Sequence, residues 1–237
     1  MTDLFAAGAA TWPASETRAE AGWTLRRGEG GGNRVSAATR LAREADPAAA
    51  EAAMRVWGQA PVFQIRPGDD DLDAVLEARG YVRRDPSLIL AASAAAVAAS
   101  APDERAIPCA AALACMAEIW AAGGIGPARL AVMRRAADPK LWLLGRAGDR
   151  AVGAGFVAVS GGVAMLHALE VLAAARGRGV GAAMTRAAAA WALRAGAATF
   201  ALAVTEANAP ARSLYAALGL AEAARYHYRV APEGDRP

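Results

Sequence analysis

Apolar positions recur along this chain with two different periods, and the places where one period gives way to the other mark its elements. "GWTLRRGEGGGNRVSAAT" carries its Trp, Leu and Val in extended patterns around a glycine-rich stretch, which predicts a hairpin turning at "GEGGGN". "DPAAAEAAMRVWGQ" predicts a helix with Asp46 as N-cap, Pro47 in the first turn and Gly58 near the stop. A strand "PVFQI", a helix "LDAVLEARG" after Asp71, and a strand "YVRRDPSLIL" follow. The weakly apolar run "LILAASAAAVAASA", Leu88 to Ala101, then predicts a strand end running into a small-residue linker. It is too short for a bilayer span, which takes about 20 residues.

Beyond the linker the order is richer. Helices are predicted around "CAAALACMAEIWAA" and "ARLAVMRRAA", then a meander of "KLWLLGRAG", "AVGAGFVAVSG" and "GVAMLHALEVL", the first two joined at Gly148-Asp149. A Gly/Arg turn leads into a helix through Arg194, whose Val180, Met184, Ala188, Trp191 and Ala195 share one face opposite Arg186. The strand "TFALAVT", the helix "PARSLYAALG" and the strand "EAARYHYRV" complete the pattern. The fold class expected is α+β with a mixed sheet. The linker divides it into domains at 1–98 and 99–237.

Composition narrows the partners. Among 237 residues, Lys+Arg 26 against Asp+Glu 23 leaves a net charge of +3, too small to demand a nucleic-acid partner. Cys109 and Cys115, the chain's two cysteines, fall in one predicted helix and fit neither a disulfide framework nor a zinc site, so reduced thiols in a cytoplasmic protein are expected. The opening "MTDLFAAGAATWPASE" has an acidic residue where a secretory leader has basic ones and is broken by Gly8 and Pro13. No membrane association is expected. No metal is expected either, because His167 and His227 have no accompanying carboxylate cluster in the sequence.

The chemistry concentrates in "VLAAARGRGVGAAM", Val171 to Met184. A glycine-rich turn entering a helix exposes unpaired N–H groups at the positive end of the helix dipole, and both favour a phosphate. Gly179 and Gly181 let the backbone approach an anion closely, while Arg176 and Arg178 can add charged donors. A purely conformational turn is the alternative. "GRGVGA", Gly177 to Ala182, also satisfies the dinucleotide fingerprint G-x-G-x-x-G/A, with Glu206 near the place of the ribose-binding acid. Against that reading, "LAAAR" separates the strand from the first glycine, and about thirty residues remain after Glu206 where a doubly wound sheet needs far more.

Two motifs resemble those of the GNAT superfamily of acyl-CoA-dependent N-acyltransferases. Arg176, Gly179 and Gly181 match its pyrophosphate motif Q/R-x-x-G-x-G/A, with Val171 at the end of the preceding strand. "NAPARSLYAALGL" is similar to N-x-x-A-x-x-L-Y-x-x-x-G-F, with Asn208, Ala211, Leu214, Tyr215 and Gly219 in place and Leu220 in the aromatic position. The resemblance spans about Ala106 to Val230, and "YHYR" is similar to the last strand of many bacterial members. "LDAVLEARGYVRRDPSLIL" and "GWTLRRGEGGGNRVSAA" look like a degenerate GNAT half, without the pyrophosphate motif. The resemblance thus implies two GNAT-like domains in tandem and one acyl-CoA site. An unrelated α+β domain is the alternative for the first half.

For function the resemblance implies transfer of an acetyl group from acetyl-CoA to a primary amine of a small molecule or peptide. The loop Arg176, Gly177, Arg178, Gly179, Val180, Gly181 and Ala182 would hold the cofactor, the N–H groups near Val171 and Leu172 would receive the thioester carbonyl, and Asn208 would hold the cofactor arm or a water. Tyr215 takes the family position of the general acid. For the base, Glu170 is adjacent to Val171 and strand alternation sets it on the face opposite His167; Glu206 is a third candidate. A non-catalytic acyl-CoA-binding module is the alternative function. The acceptor, the acyl length and the choice between monomer and homodimer stay open.

Overall fold

The computed structural model describes residues 3–98 and 100–232. Asp3 caps the first helix, α1 (Leu4–Thr11), its carboxylate accepting from the N–H groups of Phe5 and Ala6 at 3.0 and 2.9 Å. Next, β1 (Glu16–Glu20) and β2 (Trp23–Arg27) form an antiparallel hairpin. Ala21 and Gly22 close it, both at positive φ (48° and 80°), a two-residue turn whose twist matches that of paired strands. The hairpin therefore comes before the expected one. "GEGGGN" is a loop, and the residues after it form the single turn α2 (Asn33–Ser36) and the two-residue β3 (Thr39–Arg40). β1 lacks an apolar stripe because Glu16, Thr17, Ala19 and Glu20 are all exposed.

The next elements follow the sequence more closely. α3 (Pro47–Val56) starts at the Asp46 cap, whose side chain accepts from the Ala48 N–H at 3.0 Å; β4 (Val62–Ile65), α4 (Asp70–Ala78) and β5 (Val82–Ser93) follow. The expected linker is a packed segment instead: β5 runs to Ser93 and enters α5 (Ala94–Val97), with Ala94 and Val97 buried. Residue 99 of that stretch lies outside the described residues.

β6 (Ala106–Cys109) pairs antiparallel with β7 (Lys140–Ala147), so Cys109 lies on a strand and not on a helix with Cys115, which belongs to α6 (Ala114–Ala122). Both thiols are free. α7 (Pro127–Arg135) precedes the meander of β7, β8 (Arg150–Ser160) and β9 (Val163–Val171). The chain closes through α8 (Val180–Arg194), β10 (Thr199–Thr205), α9 (Ala209–Ala217) and β11 (Ala221–Val230). On α8 the buried stripe runs through Val180, Met184, Ala188 and Ala192, while Trp191 and Ala195 are only half-buried and Arg186 is exposed. No described helix is long and apolar enough to cross a membrane.

Two compact units share the chain. One takes residues 3–12, Ile89–Val204 and Asn208–Ala223; the other takes Pro13–Leu88, Thr205–Ala207 and residues 224–232. This division does not follow the boundary expected at 98/99. In the first unit the neighbouring strands are β5, β10, β9, β8, β7 and β6; in the second they are β4, β11 and β5, with β1, β2 and β3 in a separate sheet. β5 and β11 contribute residues to both units.

The first unit's core is aromatic. Trp120, Trp142 and Phe156 pack edge-on and tilted in sequence, with centroids 5.8 and 4.8 Å apart, and Trp12 and His167 join them at 5.0 Å from each other. His167 is 3 % exposed. The Thr11 hydroxyl donates to the Ala7 carbonyl, so its 2.9 Å contact with His167 requires the ring Nε2 to carry the hydrogen and donate. This histidine ties α1 to β9. Its imidazole is committed to packing.

Candidate functional site

The site begins with an irregularity in β9. Ala154 faces Glu170 across the β8–β9 pair, and Phe156 faces His167, so two residues of β9 stand opposite one of β8. Such a bulge shifts the side-chain phase of everything after it. Ala168 takes positive φ (49°), and the buried Trp120 indole donates to its carbonyl at 2.8 Å. The alternation expected between His167 and Glu170 therefore fails: both side chains lie on the face covered by α6, His167 in the aromatic stack and Glu170 against Gly123. A Cβ on Gly123 would stand 2.7 Å from the Glu170 carboxyl carbon, although its φ of −89° suits any residue, so this glycine supplies space for the carboxylate.

β9 also loses a partner, just ahead of the bulge. Its parallel register with β10 runs from Val163–Thr199 to Leu166–Leu202 and stops, leaving the following residues of β9 with β8 alone. In an extended strand the N–H and C=O of one residue point the same way and alternate with those of the next. The Leu172 N–H donates to the Val152 carbonyl at 2.8 Å, on the β8 side. That group is spent, so the expected role of Leu172 toward a thioester carbonyl is withdrawn. Val171 points its N–H to the opposite, open side, where its carbonyl accepts from Arg176 Nε at 2.9 Å. Arg176 Nη2 also donates to Glu170 Oε1 at 3.0 Å.

The loop into α8 is a row of unused donors. Among the described residues, no acceptor takes the N–H groups of residues 177–182; the first helical bond is Ala183 to Gly179, at 3.0 Å. Gly179, the cap residue, sits in the left-handed region (φ 76°, ψ 1°). A free helix start has four orphan N–H groups, and the turn extends the row to six. Anions are favoured there by both hydrogen bonding and the dipole.

All of these residues except Arg178 line one cavity of about 620 Å³ within the first unit. Its wall takes Leu169, Glu170 and Val171 from β9, then Arg176, Gly177, Gly179, Val180, Gly181 and Ala182, then Asn208 and residues of α9 as far as Tyr215. Most of the expected site thus converges. Leu172, Arg178, His167 and Glu206 do not line the cavity. Asn208 serves as the N-cap of α9, its Oδ1 accepting from Ala211 N–H at 3.2 Å, which leaves its amide N–H₂ for other partners. Tyr215 is 7 % exposed, and burial alone pushes its hydroxyl up to about 12. It is a neutral donor throughout the physiological range.

Arg105 is the residue that sequence reasoning missed. Its Nη1 donates to the Arg178 carbonyl at 3.3 Å and lies 2.7 Å from where a Gly179 Cβ would be. Separated from the loop by 73 positions and outside both motifs, it left no local signal.

Residues 114–220 match the model of the acetyltransferase (GNAT) family. The chain carries a GNAT domain. Its fold is similar to a GCN5-related N-acetyltransferase from Kribbella flavida, at 18% identity over 93% of this chain and 91% of that one, with a TM-score of 0.71. A functionally unknown conserved protein from Staphylococcus epidermidis matches at 9% identity over 92% and 94%, TM-score 0.70. A tandem GNAT protein from the clavulanic acid biosynthesis pathway matches at 16% over 94% and 86%, TM-score 0.60. No curated protein matches the chain. The mixed α+β fold is that of GNAT proteins, including one in tandem form, and it supports acyl transfer in general. The antiparallel β8–β9 pair beside the loop also removes the dinucleotide reading, which requires parallel strands on both sides. Among the described residues no group of three or more His, Cys, Asp or Glu is placed to share a metal ion.

Proposed function

We propose that the chain transfers an acetyl group from acetyl-CoA to a primary amine of a small molecule or peptide. The observation that carries this reading is the row of six free N–H groups at residues 177–182, ending beside a strand edge that has lost its partner. The row suits a pyrophosphate, and the open edge of β9 suits an amide-bearing arm that extends the sheet.

Acetyl-CoA, when bound, supplies an acyl group activated as a thioester. The remaining work falls to the chain. The Val171 N–H points to the open side and can stabilise charge developing on the carbonyl oxygen. Glu170, held by Arg176 and seated against Gly123, accepts the amine proton as the C–N bond forms. Tyr215 donates its proton to sulfur as the C–S bond breaks. Two free thiols suit a reducing compartment, and we place the reaction in the cytoplasm.

Calorimetric titration of acetyl-CoA tests the reading directly. Gly179→Glu puts a carboxylate in the row of donors and a side chain where Arg105 sits, so binding is expected to be lost while the far-ultraviolet spectrum is kept. Unchanged affinity in that variant would sink the proposal. Release of free CoA across a panel of primary amines then identifies the acceptor; binding without release from any amine would instead favour a non-catalytic acyl-CoA module.

A further inference from the structure

We infer that Arg105 is a positioning residue for the cofactor loop, fixing the orientation of the Arg178–Gly179 peptide group. The inference rests on the reading of residues 177–182 as the CoA pyrophosphate site. A trans peptide is planar, with its C=O and N–H on opposite sides. Holding the Arg178 carbonyl toward Arg105 therefore turns the Gly179 N–H the other way, and Gly179 lines the cavity while Arg178 does not.

The peptide needs such a hold. A glycine in the left-handed region has mirror-related conformations of similar energy, so the peptide ahead of it can turn over at little cost. A turned peptide would present a carbonyl oxygen to an anion in place of a donor.

Arg105 is itself fixed from two sides. Its Nε and Nη2 donate to the two carboxylate oxygens of Asp103, at 2.9 and 2.7 Å, while Nη1 is left for Arg178. Its backbone is also anchored, since the Arg105 carbonyl accepts from the Arg146 N–H on β7 at 2.9 Å. A guanidinium gripped as a fork and aimed with its third nitrogen is a geometry lysine cannot copy.

The test titrates the full-length protein with CoA and with dephospho-CoA, which keeps the pyrophosphate and lacks the 3′-phosphate. Arg105→Ala is expected to weaken both by about tenfold and equally, the scale of one hydrogen bond from a charged donor. The melting temperature without ligand should hold, because an exposed ion pair contributes little to stability. Arg105→Lys should fall between parent and Ala, and it carries the test if the Ala variant does not fold. Affinity of Arg105→Ala within about twofold of the parent, on a scale where tenfold is 1.4 kcal/mol, would overturn the inference alone. A larger loss for CoA than for dephospho-CoA would make Arg105 a direct ligand of the 3′-phosphate and overturn positioning. Parental affinity in Arg105→Lys would overturn the role of the fork. Failure of the parent protein to bind either probe would overturn the cofactor reading and this inference with it.

Discussion

At the scale of single residues, Tyr215 separates chemistry from packing most cleanly. No group among the described residues bonds its hydroxyl, and burial holds the phenol neutral. Tyr215→Phe keeps the ring and removes the donor. Turnover with saturating amine is expected to fall by about 10²–10⁴-fold, the usual range for general acid help, with acetyl-CoA affinity nearly unchanged. A Phe variant that turns over like the parent would leave Tyr215 as a core residue. The pH dependence has a definite sign. The folded value of about 12 lies above the ordinary 10, so the folded state holds this proton more tightly. Tyr215 therefore leaves stability unchanged below pH about 10 and lowers it as pH rises from there toward 12. A fall in rate below that window must come from another group.

The same scale shows what a linear reading can and cannot reach. Arg176, Gly179, Gly181, Asn208 and Tyr215 were legible because each belongs to a local spacing, and the cavity collects them all. Arg105 was not, since a contact across 73 positions has no periodicity. Gly123 was hidden for a different reason. Its backbone is ordinary, and only the carboxylate of Glu170 explains the missing side chain.

At the scale of elements, the bulge in β9 decides which groups meet. Strict alternation sends Glu170 and His167 to opposite faces; one extra residue brings both to the α6 side. No residue type announces it, because Ala168 is an alanine at positive φ, held there by Trp120. Trp120→Phe leaves the half-buried Ala168 carbonyl without its donor. The expected cost is about 1–3 kcal/mol. By the usual scaling for a chain of this size, that is a drop of about 2–4 °C in melting temperature per kcal/mol, readable by calorimetry. Turnover should fall further than acetyl-CoA affinity, since the bulge aims Glu170 and leaves the loop of residues 177–182 alone. An equal fall in both would show that the bulge supports the whole site instead. The hairpin teaches the converse lesson: its turn at Ala21-Gly22 was passed over because β1 is exposed and has no apolar phase to read.

At the scale of the whole molecule, the division into two units raises the question of stoichiometry. In the second unit the turn that leads into α3 uses its donors internally. The Leu41 and Ala42 N–H groups both donate to the Gly22 carbonyl, Ala45 donates to Ala42, and Asp46 sets a carboxylate at the helix start. Arg40, in turn, is held by Asp69 at 2.9 Å and Asp71 at 2.8 Å. An anion at that helix start meets the Asp46 carboxylate, and three of the turn's N–H groups are already used. Titration should therefore give one equivalent of CoA per chain, and Gly179→Glu should abolish all binding; a second equivalent surviving that substitution would contradict the single-site reading. The α+β class and the order of the elements from β7 onward could be read from periodicity. How the chain is shared between units could not, because the helix α1 and the strands β5 and β11 join elements far away in sequence.

That sharing governs how the protein can be made. Thr11 near the start of the chain bonds His167, and residues 224–232 complete the unit that begins at Pro13. A ribosome adds about 5–20 residues each second, so α1 waits many seconds for the strand it packs on. Neither unit has all its segments until the residues that follow Asn208 have been made. Folding of both is thereby deferred until β10, α9 and β11 have emerged, and a nascent chain halted before them holds exposed apolar surface in each unit.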